Sequence, residues 1–86
     1  TMKKFSHVIE APQGLHARTA GKIAAAAMDY KSSVLVGFRG KKAQARDLIG
    51  LMGLYAEEGD CLEVEISGED EAEACGKMKA VMEENL

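Results

Sequence analysis

Hydrophobic and polar positions alternate along four stretches of the chain and recur at helical spacing along others. Phe5, His7 and Ile9 share one parity and Ser6, Val8 and Glu10 the other, which predicts a strand over residues 4–11. Val8 blurs that alternation, and Pro12, Gln13 and Gly14 end the strand. Ala20, Ile23, Ala24, Ala27 and Met28 then fall at i, i+3, i+4, i+7 and i+8, which predicts a helix over 17–30. Its stripe is mostly alanine, so it can lie close against whatever it covers. Gly21 costs this helix ~1 kcal/mol relative to alanine.

Val34, Val36 and Phe38 predict a strand over 34–38, and Arg39-Gly40 a tight turn into a short polar edge strand over 41–45. Asp47, a strong N-cap, opens a short helical segment reaching Leu54. The cleanest strand follows: Leu62, Val64 and Ile66 point one way, Cys61, Glu63, Glu65 and Ser67 the other. One dry and one wet face favour an antiparallel sheet. A last helix is predicted over 69–85, with acidic residues at its start, where the helix dipole favours them. Its buried stripe reads Ala72, Cys75, Met78 and Met82, with Val81 beside it.

Strand, helix, strand, strand, short helix, strand, helix is the order of an α+β open-faced β-sandwich: a four-stranded antiparallel sheet covered on one face by three helices. Pattern alone leaves the strand order open, because a ferredoxin-like arrangement fits most of it.

Eighty-six residues make a single domain, 1–86, with room for a core and one surface site. A deep substrate cavity of ~300–1,000 Å³ is hard to house in it. Eleven basic and fourteen acidic residues give a net charge of −3, which argues against nucleic acid as a partner. No run of ~18 apolar residues predicts membrane insertion, and no signal-peptide core is present, so a cytoplasmic location is expected. Thr1 ahead of Met2 reads as a residue left over from expression and is set aside. Cys61 and Cys75 are not spaced for zinc and read as free, small buried hydrophobes in a reducing compartment. No metal and no cofactor are expected.

The chemistry concentrates in Gly14-Leu15-His16-Ala17-Arg18-Thr19-Ala20-Gly21. A glycine turn delivers a histidine to the start of a helix, with an arginine two residues on. The first N–H groups of a helix lack internal partners and, with the dipole, form an anion site. Arg18 adds a planar fork suited to phosphoryl oxygens. A nucleophilic imidazole, an oxyanion cradle and a counter-charge suit a phosphoryl group that arrives on a histidine and leaves again.

GLHARTA resembles the active-site segment of the histidine-containing phosphocarrier (HPr) family of the bacterial phosphoenolpyruvate:sugar phosphotransferase system. ARDLIGLMGL is similar to the family's segment around its short helix, and GEDEAEA to the opening of its last helix. The resemblance covers essentially the whole chain. It implies sheet order 1-4-2-3 and a carrier that takes a phosphoryl group from enzyme I on Nδ1 of His16 and gives it to enzyme IIA proteins. By the same resemblance Arg18 is the charge partner, and the N–H groups of Ala17 and Arg18 lie nearest the phosphate. Docking would use Thr19, Ala20 and Gly21 with Leu48, Ile49 and Met52. These last three cannot all face inward on one short helix, and a small exposed apolar patch beside His16 is the favoured reading.

The chain departs from the family at two positions. Thr19 stands where the family usually has proline, which loosens the first turn and brings a hydroxyl toward the phosphate site. Asp47 stands where Gram-positive relatives carry a serine phosphorylated by a regulatory kinase. It is a good N-cap, and it is also a fixed negative charge at a regulatory position. Such a carrier takes part covalently in transfer without being a free-standing catalyst, and a monomer is expected. Two alternatives stay open: a regulatory binding module acting on a partner such as a transcription regulator, and a phosphorelay paralogue with the same chemistry.

Overall fold

Leu62, Val64 and Ile66 are almost completely buried, and the strand that carries them lies inside the sheet, paired on both sides. The computed structural model describes residues 2–86; Thr1, read above as an expression remnant, lies outside the described residues. The elements are β1 (Lys3–Val8), α1 (Ala17–Ala27), β2 (Ser33–Phe38), β3 (Lys41–Gln44), α2 (Leu48–Met52), β4 (Cys61–Ser67) and α3 (Glu71–Asn85). The sheet order is β1-β4-β2-β3, with every pairing antiparallel. Phe5 faces Val64 across β1–β4, and Val64 faces Val36 across β4–β2, so one apolar row crosses three strands. Arg39 and Gly40 both have positive φ, 49° and 81°, the torsions a two-residue hairpin needs to match strand twist.

The helices cover the inner face of the sheet. α3 packs on β1, β4 and α1, and α1 packs in turn on α2. Met78 and Met82 of α3, Ile23 of α1 and Leu51 of α2 meet the sheet's inner row in one core. A polar clip joins the start of β2 to the start of α3. The Asp70 carboxylate accepts the Ser32 hydroxyl at 2.5 Å, the Ser32 N–H at 2.9 Å and the Lys31 N–H at 2.9 Å.

Several boundaries and faces differ from the sequence reading. β1 stops at Val8 rather than residue 11, because the N–H groups of Glu10 and Ala11 turn to the Leu86 carbonyl instead of a strand. α1 stops at Ala27 rather than residue 30. The Met28 N–H still reaches Ala24, but those of Asp29 and Tyr30 reach back only three residues. Met28, expected on the buried stripe, is 69% exposed, while Ala26 is buried. α3 begins at Glu71, with Asp70 as its N-cap residue engaged by Ser32. Its buried stripe is Ala74, Cys75, Met78, Val81 and Met82; Ala72 falls on the far side of the helix and is exposed. Cys75 is buried as expected, but Cys61 lies on the wet face of β4 and is exposed.

Candidate functional site

Gly14 has φ of 66°, and a Cβ there would lie 2.5 Å from the Ala56 carbonyl oxygen. Only glycine allows that approach. The next residue, Leu15, is buried and donates its N–H to the same Ala56 carbonyl at 3.0 Å. The chain is thus pinned on both sides of the turn before it reaches His16, the N-cap residue of α1, whose backbone is extended at φ −120° and ψ −175°. The helical ladder begins with Ala20 N–H donating to the His16 carbonyl at 2.8 Å. The N–H groups of Ala17, Arg18 and Thr19 consequently have no carbonyl partner inside the helix. The first turn carries no acidic residue to compete for them.

His16 is half-buried and Arg18 is exposed; with Ala11, Pro12, Gln13, Thr19 and Asn85 they line a shallow recess of about 240 Å³. That is below the ~300 Å³ at which small-molecule pockets begin. The recess holds one imidazole, one guanidinium and two amide side chains. It can receive an anionic group at the helix end, with the ring as its nucleophile. Among the described residues no group of three His, Cys, Asp or Glu side chains is placed to hold a metal ion. No described helix is long and apolar enough to cross a membrane.

The docking residues divide. Thr19 and Ala20, expected on the contact face, are buried at 5% and 0% exposure, because they lie on the side of α1 that packs inward. Gly21 is half-buried, and a Cβ there would meet nothing within 4 Å, so it borders open space. Ile49 is 76% exposed and Leu48 is exposed, while Met52 is partly buried against the core and Leu51 wholly so. An apolar patch therefore exists on α2, which packs beside α1. Asp47 caps α2, its Oδ1 accepting the Gly50 N–H at 3.1 Å.

The family model described as "PTS HPr component phosphorylation site" matches residues 3–84. The chain belongs to the HPr family, the phosphocarriers of the phosphotransferase system. It is 39% identical over 85 residues to the phosphocarrier protein HPr of Mycoplasma genitalium, covering 98% of this chain and 97% of that one. Its fold is similar to a crystal structure of HPr-C-His from Thermoanaerobacter tengcongensis, with a TM-score of 0.91 and 29% identity over 96% of this chain and 93% of that one. A histidine-containing phosphocarrier from Mycoplasma superposes with a TM-score of 0.92 and 26% identity, over 95% of this chain and 93% of that one. Membership in HPr explains the antiparallel sheet, the order β1-β4-β2-β3 and the carrier role together.

Two features of the site, and one outside the recess, escaped the sequence reading. The Thr19 hydroxyl turns back to the chain, accepting the His16 N–H at 3.0 Å and reaching the Gly14 carbonyl at 3.1 Å, rather than standing free in the recess. A threonine at the third helical position can return to the N-cap N–H, and that spacing was the available signal. Gln13 and Asn85 line the recess, the second from the far end of the chain. Tyr55 has a φ of 55°, unusual for a bulky residue, and no sequence signal marks it.

Proposed function

We propose that His16 is the phosphoryl acceptor and donor of this carrier, receiving the group from enzyme I and passing it to an enzyme IIA. The observation that carries the reading is a half-buried imidazole at the start of α1, with Arg18 and first-turn N–H groups that have no helical carbonyl partner beside it. In the step, the ring nitrogen's electron pair attacks phosphorus, an N–P bond forms, and the donor's bond to phosphorus breaks, with its electrons leaving on the donor. The Ala17 and Arg18 N–H groups and the Arg18 guanidinium receive the phosphoryl oxygens, which spreads their charge without consuming a proton. Return transfer runs through the same arrangement. The partner brings the catalytic groups a shallow recess lacks, docking on the exposed face of α1 and on Leu48, Ile49 and Met52 of α2. Asp47 is read as a fixed charge at a position where regulation would act. The exchange is placed in the cytoplasm, with the carrier acting as a monomer.

Incubation with enzyme I and labelled phosphoenolpyruvate tests this. Acid-labile, base-stable label in the wild type, absent in His16→Ala, is expected; a wild type that takes no such label overturns the reading.

A further inference from the structure

Thr19 is a polar side chain buried in the first turn of α1, at 5% exposure. Its hydroxyl oxygen accepts the His16 N–H at 3.0 Å. Its one hydrogen is shared between the Gly14 carbonyl at 3.1 Å and the His16 carbonyl at 3.2 Å. The donor is thereby committed to backbone and is not available to a phosphoryl oxygen. Every atom it ties belongs to Gly14, which turns the chain, or to His16, which carries the ring. Thr19 and His16 face each other in a capping-box arrangement, the side chain of each toward the N–H of the other. Of those two contacts, the His16 N–H to Thr19 hydroxyl is the well-formed hydrogen bond.

The consequence is geometric. The torsions at His16 decide where the imidazole stands over the open N–H groups of α1. With the Thr19 hydroxyl in place, the His16 N–H is held and its extended backbone cannot relax toward the helix. Without it, the residue between the Gly14 turn and the helix gains freedom while the rest of the core keeps its packing. We propose that Thr19 is a positioning residue for phosphoryl transfer, acting through its hydroxyl on the His16 backbone rather than on the phosphoryl group. The inference rests on the reading of His16 as the acceptor.

The test compares wild type, Thr19→Val and Thr19→Ser in phosphoryl uptake from phosphoenolpyruvate-charged enzyme I, at saturating and limiting donor. Displacement of a reacting group by about 1 Å costs on the order of 10²-fold in rate. Thr19→Val is expected to lower the saturated transfer rate by about 10-fold or more, with the half-saturating concentration within about two-fold. Thr19→Ser, which keeps the hydroxyl, is expected to return the rate to within about two-fold of wild type. An unchanged rate in Thr19→Val, or an equal loss in Thr19→Ser, overturns the inference. Should Thr19→Val not fold, hydrogen exchange of the His16 amide in the wild type decides: slow exchange supports the held N–H, exchange at the rate of an open amide overturns it. A wild type that takes no acid-labile label overturns the acceptor reading itself. Label in the wild type with no Thr19→Val effect overturns only the positioning role.

Discussion

The Ala56 carbonyl oxygen accepts the Leu15 N–H at 3.0 Å and would lie 2.5 Å from any Cβ at Gly14. The loop after α2 and the turn before α1 are thus in backbone contact, and His16 is placed by a segment 40 residues away in the chain (16 to 56). Gly14→Ala combines a positive φ with a steric conflict against backbone that has little room to move. A loss of about 2 kcal/mol or more is expected, together with slower transfer through His16. Urea unfolding and label uptake check both; a variant as stable as wild type contradicts the close approach.

Ile49 is 76% exposed, so its side chain faces outward. Ile49→Glu is expected to change stability by less than about 0.5 kcal/mol. Loss of one apolar anchor should raise the half-saturating concentration for the phosphoryl donor by about 5–30-fold, with the saturated rate nearly intact. Steady-state kinetics separate the two, and an unaffected half-saturation point removes Ile49 from the docking face.

Asp47 caps a helix of only five residues, where one orphan N–H is a large share of the total. Asp47→Ala is expected to cost about 1 kcal/mol, and Asp47→Ser to retain most of the cap. Thermal melts at one pH give the comparison. If serine and alanine destabilise equally, the cap is not what the aspartate contributes.

Tyr55 is 78% exposed with φ at 55°, and the Lys41 ammonium stands 5.9 Å from the centre of its ring. The left-handed region costs a bulky residue roughly 1–2 kcal/mol, against about 0.5–1 kcal/mol of unfolded-chain entropy for glycine. Tyr55→Gly is therefore expected to be neutral or stabilising by up to about 1 kcal/mol, while Tyr55→Val, β-branched and with no relief of strain, destabilises. Opposite ordering in denaturant midpoints contradicts the strain.

The Ser32 hydroxyl first, and the Lys31 N–H next, hold the Asp70 carboxyl below its ordinary value of 3.8. A carboxyl depressed in the folded state contributes stability that is full above the ordinary value and is lost as pH falls through the lowered one. Wild type is expected to lose stability more steeply than Asp70→Asn between about pH 5 and pH 2, and to exceed it at pH 7. Parallel stability profiles across that range rule out the linkage.

Local pattern determined much of this protein. Strict alternation at Leu62, Val64 and Ile66 marks a half-buried strand whatever its neighbours are, because side chains on a strand repeat every two residues. The run from Gly14 to Arg18 marks a helix start for the same local reason: the open N–H groups there, on which the proposed phosphoryl site rests, are a property of the helix itself. Contacts between distant segments decided the rest. Met28 lies uncovered at the end of α1, and Glu10 and Ala11 left the strand for the Leu86 carbonyl. The exposure of Cys61, by contrast, follows from local parity, since it shares the outward face of β4 with Glu63 and Glu65. The glycine requirement at Gly14 comes from Ala56, and Thr19 was placed inward by the packing of α1. Periodicity tells which residues share a face, but which face is dry, and which carbonyl meets which N–H across the fold, is settled only when the elements pack.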